Sequence, residues 1–138
     1  MIIQTLKSLI AIPFLLAMCR KAGDTTITPV TPTESSFAFS VNVDPGAGNI
    51  LGVVGTSQAI IVKVSSTLPK DGVTVAVTVT KDVDNSTVFT NTISSLTADN
   101  TVNITGLTPG ALSTATVVVT SKTTSSNTKS LSFKLAAK

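Results

Sequence analysis

The apolar residues of this chain recur at every second position from Phe37 onward. The clearest stretch is 73–80, where four valines alternate with threonine and alanine. A period of two places the apolar side chains on one face of a β-strand, whereas an amphipathic helix needs them three or four positions apart. Valine and threonine also favour strands, because their branched side chains are already stiff and suit a pleated surface. The pattern therefore predicts β-structure throughout this region.

Turn residues divide the region into strands. Pro45-Gly46 and Asp71-Gly72 are dipeptides that favour tight turns. Glycines interrupt the segment from Ile50 to Gly55, which is therefore predicted to be an edge strand or a bulge. The predicted strands cover 37–43, 50–55, 59–66, 73–80, 87–93, 102–107, 114–121 and 131–135, and the segments 94–101 and 122–128 are predicted to be loops.

Seven to eight strands at intervals of ~8–12 residues are typical of an immunoglobulin-like sandwich. We therefore expect an all-β fold, with a single immunoglobulin-like β-sandwich of seven to eight antiparallel strands over 37–138. In that fold Val117, Phe133 and Leu135 point inward together with the valines of 73–80, which supplies a core large enough for such a domain.

A short motif adds a family resemblance. Gly106-Leu107-Thr108-Pro109-Gly110, followed by a strand, a polar loop and a last strand, resembles one corner of fibronectin type III and bacterial immunoglobulin-like domains. Pro109-Gly110 suits a type II turn, in which Pro fixes one φ and Gly accepts a positive one. The chain departs from the family because Ser113 stands near the place of a usual Tyr, and the usual core Trp is missing.

The composition argues against catalysis. The chain has no His, which removes the commonest general base and the commonest metal ligand. Ser65 and Ser66 lie near Lys63 and Lys70, but surface strand and loop positions explain these residues better than a nucleophile beside its base. We therefore expect no enzyme activity, no catalytic residues, no bound metal and no cofactor.

The charge distribution argues against a nucleic-acid partner. Charged residues make up only 12% of the chain, and its net charge of +3 is spread over separate lysines. A nucleic-acid-binding surface needs clustered Lys and Arg, which the sequence does not contain. The single Cys also precludes an internal disulfide, so the domain depends on its apolar core for stability.

The N-terminus has the pattern of an export signal. Lys7 precedes ten apolar residues at 9–18. A helix that spans a bilayer needs ~20 residues, whereas the apolar region of a signal peptide has ~7–15. We therefore predict that 1–18 is a signal peptide.

The residues at the end of this segment suggest a lipid anchor. Leu16-Ala17-Met18-Cys19 resembles the lipobox of bacterial lipoproteins, although Met18 stands where that motif has a small residue. The resemblance implies that the Cys19 sulfur receives a diacylglycerol and that cleavage occurs before Cys19. The alternatives are an ordinary leader with an incidental cysteine and a leader that remains as an uncleaved anchor.

The segment 19–36 is predicted to be a tether. It is rich in Thr and Ser, and Pro29 and Pro32 favour extended backbone over helix. Asp24-Thr25-Thr26 also resembles sites that some bacteria glycosylate on exported proteins, although a plain linker explains three such residues better. The tether would lift the domain away from the membrane.

Two binding chemistries need consideration. Asp82, Asp84 and Asn85 supply oxygen ligands of the kind that calcium prefers, but they lack the Gly and distal Glu of an EF-hand loop and also fit a hairpin turn. Sandwich domains that bind sugars usually stack them on exposed Trp or Tyr, and this chain has neither. Phe89 is the one Phe of the domain whose phase does not settle whether it points inward.

These observations lead to one main hypothesis. The chain is a non-enzymatic lipoprotein of the bacterial cell envelope, held in the membrane by Cys19 and, by analogy with retention signals after the cysteine, in the outer membrane. Its sandwich serves as a structural, adhesive or accessory-subunit module whose protein partner docks by strand addition, with 50–55 as the candidate edge. The alternative is a small glycan-binding surface lipoprotein.

Overall fold

The computed structural model describes residues 33–138, which form eight β-strands. Within this range no helix is long and apolar enough to cross a membrane. The strands are β1 (Phe39–Val41), β2 (Ile50–Val53), β3 (Gln58–Val64), β4 (Val73–Lys81), β5 (Thr87–Ser95), β6 (Asp99–Ile104), β7 (Leu112–Ser121) and β8 (Thr128–Ala137).

The strands form two sheets, which together make the immunoglobulin-like β-sandwich that the sequence predicts. One sheet has three strands in the order β1-β3-β6, and the other has five in the order β2-β8-β7-β4-β5. All pairs are antiparallel except β2 and β8, which run parallel, so the expectation of antiparallel strands throughout was wrong for this pair. The chain crosses from one sheet to the other in the loop 42–49, and no hairpin joins β2 to β8. A hairpin is the connection that makes neighbouring strands antiparallel.

The core lies between the sheets and consists mainly of valine. All four inward valines of β4 are 0% exposed, and they pair across the sheet with inward residues of β7 such as Val117 and Val119. Val118 points to the other face, as the period of two requires. Phe133 and Leu135 are buried as predicted. The three-stranded sheet contributes buried residues from β1, β3 and β6: Val41, Ile60, Val62, Val64, Val102 and Ile104.

The predicted loop at 94–101 is largely strand. β5 extends to Ser95, and β6 begins at Asp99, so the connection is short. Asn100 explains the tight link, because it is buried and its side-chain amide donates to the carbonyl oxygens of Thr97 at 3.1 Å and Ala98 at 3.2 Å. The segment 94–101 therefore has the mostly small, polar composition of a loop, although most of its backbone belongs to β5 and β6.

The predicted type II turn is confirmed. Ala111 N donates to Thr108 O at 3.1 Å, and Gly110 has a φ of +77°. Leu107 is buried beneath this corner. Ser113, near the place of the family's Tyr, is also buried on the inner face of β7.

The residues just before β1 are attached to the domain. Ser121 Oγ lies 2.8 Å from both carboxylate oxygens of Glu34, and Asn127 donates from its side-chain amide to Ser35 O at 3.1 Å. Phe37 is buried in the core. The end of the predicted tether therefore packs along the loop between β7 and β8.

Gly72 lies where three connections meet. Its N–H donates to Pro69 O at 2.9 Å, and its carbonyl accepts from Lys122 N at 3.0 Å. Its φ is +80°, and a Cβ at this position would overlap the backbone carbonyl of Ser95. Only glycine therefore allows the turn before β4 to pack against the end of β5.

We expect Gly72→Ala to destabilise the domain by more than about 3 kcal/mol, because it adds backbone overlap to conformational strain. Gly48→Ala is the matched control, since Gly48 has nearly the same φ of +79° but no atom within 4 Å of the added Cβ. That variant should lose only about 1–2 kcal/mol of stability, which is the cost of the conformational strain alone. Urea denaturation measures both, and equal losses would contradict the assignment of the close contact.

A second pair of variants tests the inward phase of β7. Val117→Asp should lower the free energy of unfolding by more than about 4 kcal/mol, because a carboxylate would be buried without a partner. Val118→Asp places the same charge one residue away on the outer face and should cost about 1 kcal/mol. Similar thermal melts for the two variants would refute the assignment of the two faces.

Candidate functional site

Four strands end the two sheets within the described part of the chain: β1 and β6 in one sheet, and β2 and β5 in the other. An edge strand leaves one row of backbone N–H and C=O groups without a strand partner. Such a row can hydrogen-bond to an added strand, which is how many domains bind an extended segment of another protein. The edges are therefore the first places to search for a docking site.

The predicted edge at 50–55 is confirmed as an edge, but it is a poor docking strand. β2 has only four residues, and Gly52 interrupts it. The bonds from Lys138 N to Val53 O at 2.9 Å and from Gly55 N to Lys138 O at 3.3 Å continue its pairing with β8 on the inner side. The outer side of β2 is therefore open, but it is short.

Three further stretches of edge are short or charged. β1 has only three residues, and β6 begins with Asp99. β2 covers only the last four residues of β8, so the outer side of 128–133 has no strand beside it in the described structure, and this stretch carries Lys129. Short length and charged side chains are two of the devices that protect a sheet edge from pairing.

β5 has neither device. Its nine residues, Thr-Val-Phe-Thr-Asn-Thr-Ile-Ser-Ser, contain no charged residue and no Pro. One side of the strand pairs with β4 along its whole length, and the other side ends the sheet. We therefore identify Thr87–Ser95, called the β5 edge below, as the candidate functional site.

The pairing of β5 with β4 shows that Phe89 points toward the core. Phe89 pairs with the inward Val79, and Thr87 pairs with Thr80, so Val88 is the extra residue of a β-bulge. Both Phe89 and Val88 are partly buried and pack against the core. Phe89 therefore contributes to the core, and it exposes less ring surface for stacking a sugar than an outward ring would.

The outer face of the five-stranded sheet is lined by hydroxyl groups. Register places outward residues of β4, β7 and β8 in rows, for example Thr78, Thr116 and Ser132. Thr116 and Ser132 hydroxyls lie 3.0 Å apart, so some of these groups satisfy one another. We call the face formed by these rows the hydroxyl face: Thr74, Thr78, Thr80, Thr114, Thr116, Thr120, Thr128, Ser130 and Ser132.

A charged group lies at one end of the hydroxyl face. Lys134 Nζ contacts Asp82 Oδ2 at 2.5 Å and Thr114 Oγ1 at 2.8 Å, and Thr114 donates to Asp82 Oδ1 at 2.6 Å. The hydrogen bonds from Lys134 and Thr114 hold the pKa of the Asp82 carboxyl below its ordinary value. This arrangement links the turn after β4 to β7 and β8.

The remaining residues proposed for calcium form the turn itself. Asp84 Oδ1 accepts from Ser86 N at 2.9 Å and from Ser86 Oγ at 2.6 Å, and these bonds lower the pKa of Asp84. Asn85 takes a positive φ of 57° at the tip. Asp82 and Asp84 are therefore bonded to different partners, and 33–138 contain no group of three acidic, His or Cys side chains placed to hold a metal.

The serines considered as nucleophiles have structural contacts. Ser65 Oγ donates to Ala38 O at 3.1 Å, and Ser66 Oγ accepts from Ala38 N at 3.2 Å. Both hydroxyls therefore hold the start of β1 against the end of β3. Cys19 and Asp24-Thr25-Thr26 lie outside the described residues.

Over residues 33–138 the fold defines the class of this protein, an immunoglobulin-like β-sandwich domain with one long, uncharged edge strand. No protein-family model matches the chain, and no curated protein sequence matches it.

The Asp82–Lys134 contact predicts a pH dependence. Because the folded pKa of Asp82 is lowered, its ionised form stabilises the fold at pH above the ordinary Asp value of ~3.9, and that contribution is lost as the pH falls through the folded pKa. Asp82→Asn should therefore be less stable than the unsubstituted chain at pH 7, and the difference should shrink below pH ~4.

Thermal melts across this pH range measure the effect. Lys134→Met is the matched control, since it removes the hydrogen-bond donor that contributes most to the shift and should reproduce the reduced pH dependence. A difference between the unsubstituted chain and Asp82→Asn that is constant from pH 7 to pH 2 would contradict this prediction.

Proposed function

We propose that this protein is a non-enzymatic lipoprotein of the bacterial cell envelope whose sandwich binds a protein partner by strand addition. The observation that carries the proposal is the β5 edge, which is nine residues long, uncharged and at the end of a sheet. Backbone groups on such an edge supply affinity for an extended segment, and the alternating side chains supply selectivity. The domain would thus act as a structural, adhesive or accessory-subunit module.

The proposed anchor depends on the sequence before the domain. A short apolar segment after Lys7 and the lipobox-like Leu16-Ala17-Met18-Cys19 support export followed by lipidation of Cys19. Two or more acyl chains hold a protein stably at a membrane, because each buried methylene contributes about 0.8 kcal/mol. The outer membrane is the proposed location. The fibronectin type III-like subtype is also proposed, and the type II turn at Pro109-Gly110 supports it.

A glycan ligand is the second candidate. The hydroxyl face favours it, because rows of Thr and Ser offer hydrogen-bond donors and acceptors to sugar hydroxyls. The partial burial of Phe89 against the core weakens it, because stacking on an exposed ring is the usual source of sugar affinity. We therefore place protein binding first.

The proposal is tested with the full chain in bacterial cells. A photo-crosslinking amino acid at Thr92, on the β5 edge, should yield a discrete protein adduct in the membrane fraction, whereas the same amino acid at Ser130 on β8 should not. Mass spectrometry of the mature N-terminus should show an acylated Cys19, and Cys19→Ala should release the protein from the membrane.

The outcomes separate the two parts of the proposal. An unmodified Cys19, or a mature N-terminus elsewhere, would overturn the lipoprotein assignment. Equal adducts from both positions, or none from Thr92, would overturn the assignment of the β5 edge. Saturable binding of a polysaccharide with no protein adduct would favour the glycan ligand instead.

A further inference from the structure

We propose that the partner of the β5 edge is a second copy of this chain, paired antiparallel through β5 about a two-fold axis at Asn91. The two five-stranded sheets then join into one sheet of ten strands. This inference rests on the proposed function, since it names the partner of the same edge. It follows from the order of residues on β5 and from their burial.

The residues of β5 are self-complementary about Asn91. Antiparallel pairing about this position places Phe89 opposite Ile93 and Thr90 opposite Thr92, twice each. Residues directly opposite in an antiparallel pair point to the same face. Apolar side chains therefore meet on the inner face on either side of the Asn91 pair, which lies in the same phase opposite Val77 of β4, and threonines meet on the outer face.

Pairing of Phe89 with Ile93 would complete the burial of the apolar side chains of β5. Phe89 and Ile93 pack against the core but remain only partly buried in a single copy, because no strand lies beyond them in the described structure. In the dimer, Phe89 of each copy would be covered by Ile93 of the other copy. Aromatic residues pair well with β-branched ones across strands. A shift of the axis to Thr90 or Thr92 instead sets Phe89 opposite Asn91 or Ser95, so the apolar match selects Asn91.

Charge and symmetry favour a closed dimer. β5 carries no charge, so self-pairing sets no like charges opposite one another. The two-fold axis uses the same edge on both copies, which closes the assembly. The outer ends of the ten-stranded sheet are then the two short β2 strands, which Gly52 interrupts. The neighbouring open stretch, 128–133 of β8, carries Lys129, so the sheet has no long uncharged edge from which to grow further.

Disulfide trapping tests the register. The full chain is used in detergent with Cys19→Ser, which removes its only cysteine. Asn91→Cys should then form a disulfide dimer on mild oxidation, because residues paired on the axis have Cα atoms ~4.5–5.5 Å apart, within the range a disulfide allows. Ser130→Cys, an exposed position on β8, is the control and should stay monomeric.

Two further positions sharpen the test. Thr90→Cys and Thr92→Cys should each stay monomeric alone, because like residues would lie more than ~7 Å apart, yet a mixture of the two should give the mixed dimer. A dimer from Ser130→Cys as abundant as that from Asn91→Cys would overturn the proposed pairing. So would the absence of a mixed Thr90→Cys and Thr92→Cys dimer.

Charge placed on the axis gives a reversible test without cysteines. Asn91→Lys sets two ammonium groups opposite one another and should weaken the dimer about fivefold to tenfold in sedimentation analysis. A mixture with Asn91→Asp should restore association by pairing opposite charges, and Ser130→Lys should leave it unchanged. A chain that is monomeric at all concentrations, or a dimer that Asn91→Lys does not weaken, would overturn the inference.

Failure of this inference is distinguishable from failure of the proposed function. A monomeric chain whose crosslinker at Thr92 captures a different envelope protein would refute self-pairing and leave the proposed function intact. A β5 dimer with an unmodified Cys19 would refute the lipoprotein assignment and leave self-pairing intact.

Discussion

The structure depends on the pairing of β4 with β7, which forms the centre of the five-stranded sheet. Their inward residues lie opposite one another, for example Val75 with Val119 and Val77 with Val117, and all four are 0% exposed. Burial of each such side chain contributes roughly 1.5–3 kcal/mol. The other strands of this sheet extend from the pair, and the three-stranded sheet packs its own apolar face against it. With one cysteine and few charges, the chain has little other means of stabilisation.

Polar contacts then set how the strands are connected. Asn100 uses its buried amide to close the link between β5 and β6, Gly72 admits the close approach of the turn before β4, and Asp82 joins the turn after β4 to Lys134. These contacts leave β5 as a long strand held firmly on one side only. The candidate site is therefore a product of ordinary structural contacts, because an open edge exists wherever the sheet stops.

Much of the fold was predictable, and the reason is local. Alternation over 73–80 and the Pro109-Gly110 turn depend on residues that are neighbours in sequence, and both were confirmed. The loop prediction for 94–101 was wrong because small polar residues are common both in loops and on exposed edge strands. The edge at 50–55 was found from its glycines, but its parallel pairing with β8 was not, since that pairing joins residues more than 80 positions apart.

The sequence by itself determined most of the strands and most of their inward faces, because these depend on spacing and composition over a few residues. Only the tertiary structure decided which strands end the sheets, since strand order arises from pairings between distant segments. That order turned Thr87–Ser95 from an ordinary strand into the longest uncharged edge of the described domain. It also turned Phe89 inward, because the phase of an edge residue is set by the strand it pairs with and by the bulge between them.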